Sequence, residues 1–308
     1  MAEMRAMEFT GPSEDLHLRL TARPVPEPTD GEMVIQICAA GVTPTEKLWY
    51  TTTHCPDGSR RANAIPAHEF SGAVAALGRG VSGYRPGDLV FGMNDWFADG
   101  AIAEFCKAKP ASIATKPSSL SHAEAASTPI GSLTAWQGLH SHAKLRKGER
   151  VLIHGGAGAV GLFAVQVAKL QGAHVIATAA AANIDFVKQL GADEVINYRE
   201  RRFEEAGKVD VIFDTVGGET LQRSWNILGP GARVVTIAAD AESSSDPRVK
   251  KAFFIVEANA EQLAYMAELF DSGVLKAFVK AEVPLENAAR AYAGSVLGNP
   301  GKIVIRTT

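Results

Sequence analysis

The chain has 308 residues, 46% hydrophobic and 21% charged, a composition that suits folded domains and excludes a disordered chain. At roughly 100–200 residues per domain, that length implies two domains. A formal net charge of -3 leaves no basic footprint for nucleic acid or an anionic membrane. Cys38, Cys55 and Cys106 are odd in number and scattered, so they support neither a disulfide framework nor a CxxC metal knuckle. A cytoplasmic protein is expected, since no run of about 18 apolar residues lacks a charge.

Up to about residue 118 the sequence alternates short β-rich runs, EMVIQICAAG, SGAVAALG and GDLVFGM, with Gly, Pro and Asp, the spacing of an all-β domain with tight turns. Beyond it strands and helices alternate. RVLIHG predicts a strand, AVGLFAVQVAKLQG a helix, HVIATA a strand, and IDFVKQLG a helix closed by Gly191. EVINY, VDVIFDTVGG, the helix ETLQRSWNILG, the strand ARVVTIA and the apolar run KAFFIVEA continue the series. Strands this apolar, interleaved with helices, imply a parallel sheet covered on both faces. The tail departs from that alternation: EQLAYMAELFDSG is helical, AFVKAEVPL extended, ENAARAYAGSVLG helical with Gly298 and Pro300 as stops, and KIVIRTT a last strand. The expected architecture is an α/β domain over 119–258 inserted in a β-rich domain formed by 1–118 and 259–308.

Gly156, Gly158 and Gly161 fit G-x-G-x-x-G between a predicted strand and helix. In that pattern the first glycine makes the tight turn, the second admits a pyrophosphate, and the third lets helix and strand pack closely. The amides of Ala159 and Val160 then face the anion at the positive end of the helix dipole. The lysine and hydroxyl of a nucleoside triphosphate loop are absent, because GAVGL stands in their place. The second strand ends in Thr178 and four alanines, with no carboxylate before Asp185 to bind ribose hydroxyls. That favours NADPH over NADH, with Asn183, Tyr198 and Arg199 as candidate contacts of the extra phosphate. Arg201 and Arg202 read as a solvated cluster. Thr215 and Val216 in DTVGG, and Thr236 and Ala238 after the next strand, fall at carboxyl ends of strands, where open α/β sheets bind ligands.

With these features in place the chain resembles the medium-chain dehydrogenase/reductase superfamily, in its zinc-independent quinone oxidoreductase branch. The resemblance rests on MRAMEFTGP, AAGVTPTE, IPAHEFSGAV, YRPGDLVFG, GAIAEF, AEAASTPIGSLTAWQGL, LRKGERVLIHGGAGAVG and GKIVIR, which span nearly the whole chain. It implies a Rossmann parallel-sheet domain inserted in a GroES-like catalytic domain, with a cleft between them. It also implies that Thr43 and Thr134 lie against the nicotinamide, Thr43 where Asn is frequent, and that Trp49, Tyr50, Trp96 and Phe97 border the substrate. Tyr50 is the best proton donor among these, since a phenol stabilises an enolate oxygen.

Zinc alcohol dehydrogenases of the superfamily carry a GHE segment and two cysteine ligands. Here AHEF keeps His68 and Glu69, but Thr43 and Ile130 hold the cysteine positions, so two of three ligands are missing and no metal is expected. His68 and Glu69 are expected to pair with each other. Without a Lewis acid the acceptor must already be electron-poor, a quinone or an α,β-unsaturated carbonyl. KKAFFIVEA is expected to form an edge strand that pairs two copies into a homodimer near residues 251–258, as in family members. Two other readings remain open: a zinc-dependent alcohol dehydrogenase, and a non-enzymatic NADP(H)-binding sensor or structural protein.

Overall fold

The computed structural model describes residues 2–11 and 15–307. Fourteen strands are described: β1 Glu3–Thr10, β2 His17–Pro24, β3 Met33–Gly41, β4 Glu69–Leu77, β5 Leu89–Met93, β6 Phe105–Ala108 and β7 Ile113–Thr115. After them come β8 Arg150–His154, β9 His174–Ala179, β10 Glu194–Asn197, β11 Val209–Asp214, β12 Leu228–Thr236, β13 Val279–Pro284 and β14 Lys302–Arg306. The helices are α1 Tyr50–Thr53, α2 His122–Ala126, α3 Pro129–Trp136, α4 Gly161–Leu170, α5 Ile184–Gln189, α6 Gly218–Ser224, α7 Ala239–Glu242, α8 Pro247–Ala252, α9 Ala260–Asp271 and α10 Ala288–Tyr292. They fall into two units, 1–130 with 258–308, and 131–257.

In the first unit the sheet runs β13-β14-β3-β4-β5-β7, with β6 also on β3, and β1 and β2 form a separate hairpin. Ile35, Ile37, Phe70, Ile102 and Ile305 meet in its core. Helix α2 opens with a capping box, in which Ser121 and Glu124 satisfy each other's backbone amides. Sequence stops placed the end of α10 near Gly298, but the helix closes at Tyr292 and Gly294 takes a left-handed turn. Gly298 serves a different purpose: a Cβ there would lie 2.2 Å from the Lys280 carbonyl, so glycine lets the chain pass against β13.

The second unit carries a parallel sheet in the order β10-β9-β8-β11-β12, which is the Rossmann order 3-2-1-4-5. Strand runs such as VLIH are buried throughout, as expected where helices cover both faces. Leu152, Ile176, Ile196 and Ile212 of four strands share one core cluster. Gly191 ends α5 with φ +111°, the conformation predicted for a glycine there. Chain order reverses between β8 and β11, so the loops leaving these strands flank the switch point.

KKAFFIVEA does not form the expected edge strand. Lys250 to Ala252 finish α8, and Phe253 makes a single parallel bridge to Thr236. A side chain distant in sequence takes the place of a strand partner: the Gln137 side chain accepts from the Glu257 amide at 3.0 Å and donates to its carbonyl at 2.8 Å. Phe254 meanwhile stacks on His142 and packs against Gly138. A side chain thus satisfies backbone groups that a strand partner otherwise takes.

Candidate active site

The glycine loop follows β8 as the sequence predicts, but the tasks of its glycines are distributed differently. Gly155, not Gly156, takes the left-handed conformation, with φ +77°, and so makes the turn. Gly156 is a packing position, where a Cβ would press on Ala177 at 3.0 Å and Val187 at 3.2 Å. At Gly161 a Cβ would stand 2.0 Å from the Gly155 carbonyl, so only glycine lets α4 start against the turn. Gly158 is exposed, and a Cβ there would meet only the Gly155 carbonyl, at 3.2 Å. The Gly158 amide closes the turn onto Gly155, whereas those of Ala159, Val160 and Gly161 bond to nothing among the described residues. Three unpaired N–H groups at the start of a ten-residue helix make an anion cradle.

Buried hydroxyls hold this loop in shape. Thr178 accepts the Gly155 amide at 3.1 Å, and Thr215 donates to the His154 carbonyl at 2.8 Å, tying the two switch-point loops together. His154 bonds Ser224 at 2.9 Å, and burial depresses its pKa to about 4, so it is neutral at pH 7. Asp214 gathers the DTVGG turn by accepting from the amides of Val216 and Gly217 and from the Thr236 hydroxyl. Thr236 also accepts the Ala238 amide, so both sides of its hydroxyl are engaged inside the protein. Val216 is exposed at the rim, and Ala238 is buried. Thr134 is buried in α3.

At the ends of β9 and β10 the arginine cluster separates by partner. Arg201 binds Glu194 and Glu205, and Arg202 binds Glu204, which also holds Arg223. Arg199 has no carboxylate partner among the described residues and lies 5.8 Å from the Tyr198 ring centroid. Tyr198 is exposed, and its amide reaches the Ala179 carbonyl where β9 ends. Asn183 is half-buried at the start of α5.

In the first unit the sequence-predicted aromatics only partly assemble. Trp49 and Trp96 meet edge to face at 5.4 Å, and Trp96 lies 5.3 Å from His68. Tyr50 instead stacks on His54 at 4.4 Å with its ring 51% exposed, and Phe97 lies at the surface beside Trp96. Arg61 staples the segments that carry these rings, donating to the carbonyls of Thr51 at 3.0 Å and Ala98 at 2.6 Å.

His68 and Glu69 do not pair. His68 Nε2 faces Glu46 Oε1 at 3.3 Å, and Nδ1 lies 3.0 Å from Asn94 Oδ1, whose amide nitrogen donates to the Asp99 carbonyl. That orientation makes Nδ1 the donor and leaves the Nε2 lone pair toward Glu46. Burial pushes the Glu46 carboxyl up to about 7 and pulls His68 down to about 4, so a protonated carboxyl facing a neutral imidazole fits the geometry. Glu46 also accepts from the Ala67 amide at 2.8 Å and the Tyr292 hydroxyl at 3.0 Å. Glu69 binds the Lys302 ammonium and accepts the Ile130 amide at 2.9 Å. With Thr43 and Ile130 at the two cysteine positions and both His68 nitrogens engaged, these residues do not fit a zinc site. Among the described residues no three His, Cys, Asp or Glu side chains cluster as metal ligands. Sequence reasoning missed Glu46, Arg61, Asn94, Tyr292 and Lys302. Only Lys302 carried a signal, a lysine opening the apolar strand KIVIR.

Residues 29–119 match the family described as alcohol dehydrogenase GroES-like domain, and residues 190–305 that described as zinc-binding dehydrogenase. A chloroplast envelope quinone oxidoreductase homolog of Arabidopsis thaliana is 31% identical over 92% of both chains. The quinone oxidoreductase of Mus musculus is 30% identical over 99% of this chain and 97% of its own. Among solved structures, the quinone oxidoreductase from Coxiella burnetii matches with TM-score 0.88 at 31% identity, covering both chains completely. A cobalt- and zinc-bound thermostable alcohol dehydrogenase from Pyrobaculum aerophilum matches with TM-score 0.81 at 28% identity, over 99% of this chain and 100% of its own.

Proposed function

We propose, from the premise that the chain belongs to the medium-chain dehydrogenase/reductase superfamily in its quinone oxidoreductase-like branch, that it reduces a quinone or an α,β-unsaturated carbonyl with NADPH and without a metal. Its relatives make it an NAD(P)H-dependent oxidoreductase. The observation that supports the cofactor part of this reading is the row of unpaired amides at Ala159, Val160 and Gly161 beside Gly158, where a Cβ would meet only the Gly155 carbonyl. Gly158, Ala159, Val160 and Gly161 would hold the diphosphate, whereas Gly156, whose amide bonds the Thr178 carbonyl, packs behind them. Thr178, Thr215, Val216, Thr236 and Ala238 shape the edge beside it. When bound, the dinucleotide supplies the hydride.

The chain's own residues orient and stabilise. The edge-to-face Trp49–Trp96 pair offers an aromatic corner to a planar acceptor. Thr43 and Thr134 supply hydroxyls at the reacting end, and Tyr50 is assigned the proton. Tyr50→Phe is expected to lower kcat with an enone about 10-fold or more, leaving KM for NADPH unchanged; unaltered turnover transfers that role to water. The metal-free route is supported by the engagement of His68 with Glu46 and Asn94.

The preference for NADPH is assigned to Arg199, the cation of its cluster without a carboxylate partner among the described residues, together with Tyr198 and Asn183. Arg199→Ser is expected to raise the Kd for NADPH about 10- to 100-fold and leave that for NADH unchanged, by fluorescence titration. Equal weakening of both dinucleotides refutes the assignment. The Phe253–Ala258 segment, with Ile255 exposed, is the proposed contact of a homodimer. Among the described residues no helix is long and apolar enough to cross a membrane. The decisive experiment follows NADPH absorbance with a panel of quinones and enones, beside metal analysis of the same sample. Binding without consumption identifies a sensor, and turnover that depends on bound metal identifies a zinc enzyme.

A further inference from the structure

Lys302 opens β14 with its side chain 5% exposed, and its ammonium has two partners. One is the Glu69 carboxylate, itself fully buried and anchored at its other oxygen by the Ile130 amide. The other is Thr43 Oγ1, at 3.5 Å. Gly41 makes the arrangement possible, since a Cβ there would lie 2.7 Å from the Glu69 carboxylate. Burial lowers the Lys302 pKa to about 7, so below that pH it is an ammonium with three donors and no acceptor, and toward that form the Thr43 oxygen can only accept. Thr43 also stands at the N-cap of the turn Pro44–Leu48, yet its side chain makes no capping hydrogen bond. A cap would use the hydroxyl oxygen as acceptor; the Thr43 proton for its part meets no acceptor among the described residues, on a half-buried side chain.

We propose that Lys302 is a positioning residue for Thr43: held by Glu69, it donates to Thr43 Oγ1 and turns that hydroxyl's proton toward the oxygen where charge collects when the acceptor takes hydride. The proposal rests on the reductase reading given above, and it moves Thr43 from cofactor holder to donor at the acceptor. The electron pair arriving with the hydride forms the new C–H bond, and the displaced π pair ends on the acceptor oxygen. Thr43 shares its proton in a hydrogen bond without losing it, and the proton taken up comes from Tyr50 or water. A donor of this kind, fixed before the reaction, acts where negative charge develops.

A double-mutant cycle on the full chain tests this, with Thr43→Val, Lys302→Met and their combination assayed on the best acceptor of the quinone and enone panel. Each single variant is expected to lose about 10- to 100-fold in kcat, with the NADPH Kd within about 2-fold of the wild type. The combination should fall no lower than Thr43→Val, because both substitutions remove the same oriented hydroxyl. Lys302→Met alone strands a buried carboxylate and endangers folding. Lys302→Met with Glu69→Gln removes both charges, and is expected to restore thermal stability while kcat stays low. Losses that multiply in the combination, or a kcat that recovers along with stability in the neutral pair, overturn the proposal and leave the reductase reading intact. A wild-type chain that turns over no panel member sinks both.

Discussion

Gly158→Ala is expected to fold like the wild type and to lose dinucleotide affinity by about 100-fold or more, equivalent to about 2.7 kcal/mol. The backbone at Gly158 is not left-handed, and the added methyl meets only the Gly155 carbonyl, at 3.2 Å, which a shift of a few tenths of an ångström accommodates. Its direction is set by what the methyl does to a ligand, since the second glycine of the pattern lets the main chain approach a pyrophosphate. Gly161→Ala is the control with the opposite signature. There the methyl would lie 2.0 Å from the same carbonyl and 3.0 Å from Gly156 Cα, so folding suffers first. Thermal unfolding together with NADPH titration separates the two, and unchanged affinity in Gly158→Ala removes the diphosphate from this loop.

Glu46→Gln is expected to change how stability depends on pH. Burial raises the Glu46 carboxyl from 4.5 to about 7, against opposing pulls from the Ala67 amide, Tyr292, Lys302 and Arg61. The folded protein therefore holds a proton that the unfolded chain has already released. The contribution is fully present below pH 4.5 and is lost as pH rises through about 7, amounting to about 3 kcal/mol. A glutamine carries no such titration, so the stability of the variant minus that of the wild type should grow by about 3 kcal/mol between pH 4.5 and 8. His68, depressed to about 4, acts in the opposite sense: its contribution is present above pH 6.5 and lost as pH falls through 4. Glu46 is coupled to both His68 and Lys302, so the difference reports Glu46 together with its effect on those two neighbours. Urea unfolding at several pH values measures the difference, and a flat one means that Glu46 is ionised in its buried site.

Much of the Rossmann unit was legible because its signals are local. A glycine-rich turn between an apolar strand and an apolar helix has few alternatives, and strand runs interleaved with helices allow little besides a parallel sheet. The same local logic misjudged KKAFFIVEA, whose apolar run reads as a strand. Its backbone partner is a glutamine side chain 120 residues away in sequence, at Gln137. Periodicity carries no record of such a contact. The turn-making task was likewise shifted by one residue, from Gly156 to Gly155, because the pattern counts glycines and only the backbone shows which of them turns left.

The sequence by itself determined the family and the fold, through a glycine loop between an apolar strand and a helix and through ordered motifs along nearly the whole chain. The tertiary structure alone decided which polar groups meet. His68 and Glu69 look paired because they are neighbours, yet consecutive residues of an extended chain point to opposite faces, and each finds a different partner. Those partners, Glu46 and Lys302, come from other elements, with Lys302 standing 233 residues beyond Glu69. Sheet register brings Lys302 to Glu69 through β3, while Glu46 reaches His68 from the turn Pro44–Leu48, and long-range meetings of that kind leave no trace in spacing or composition.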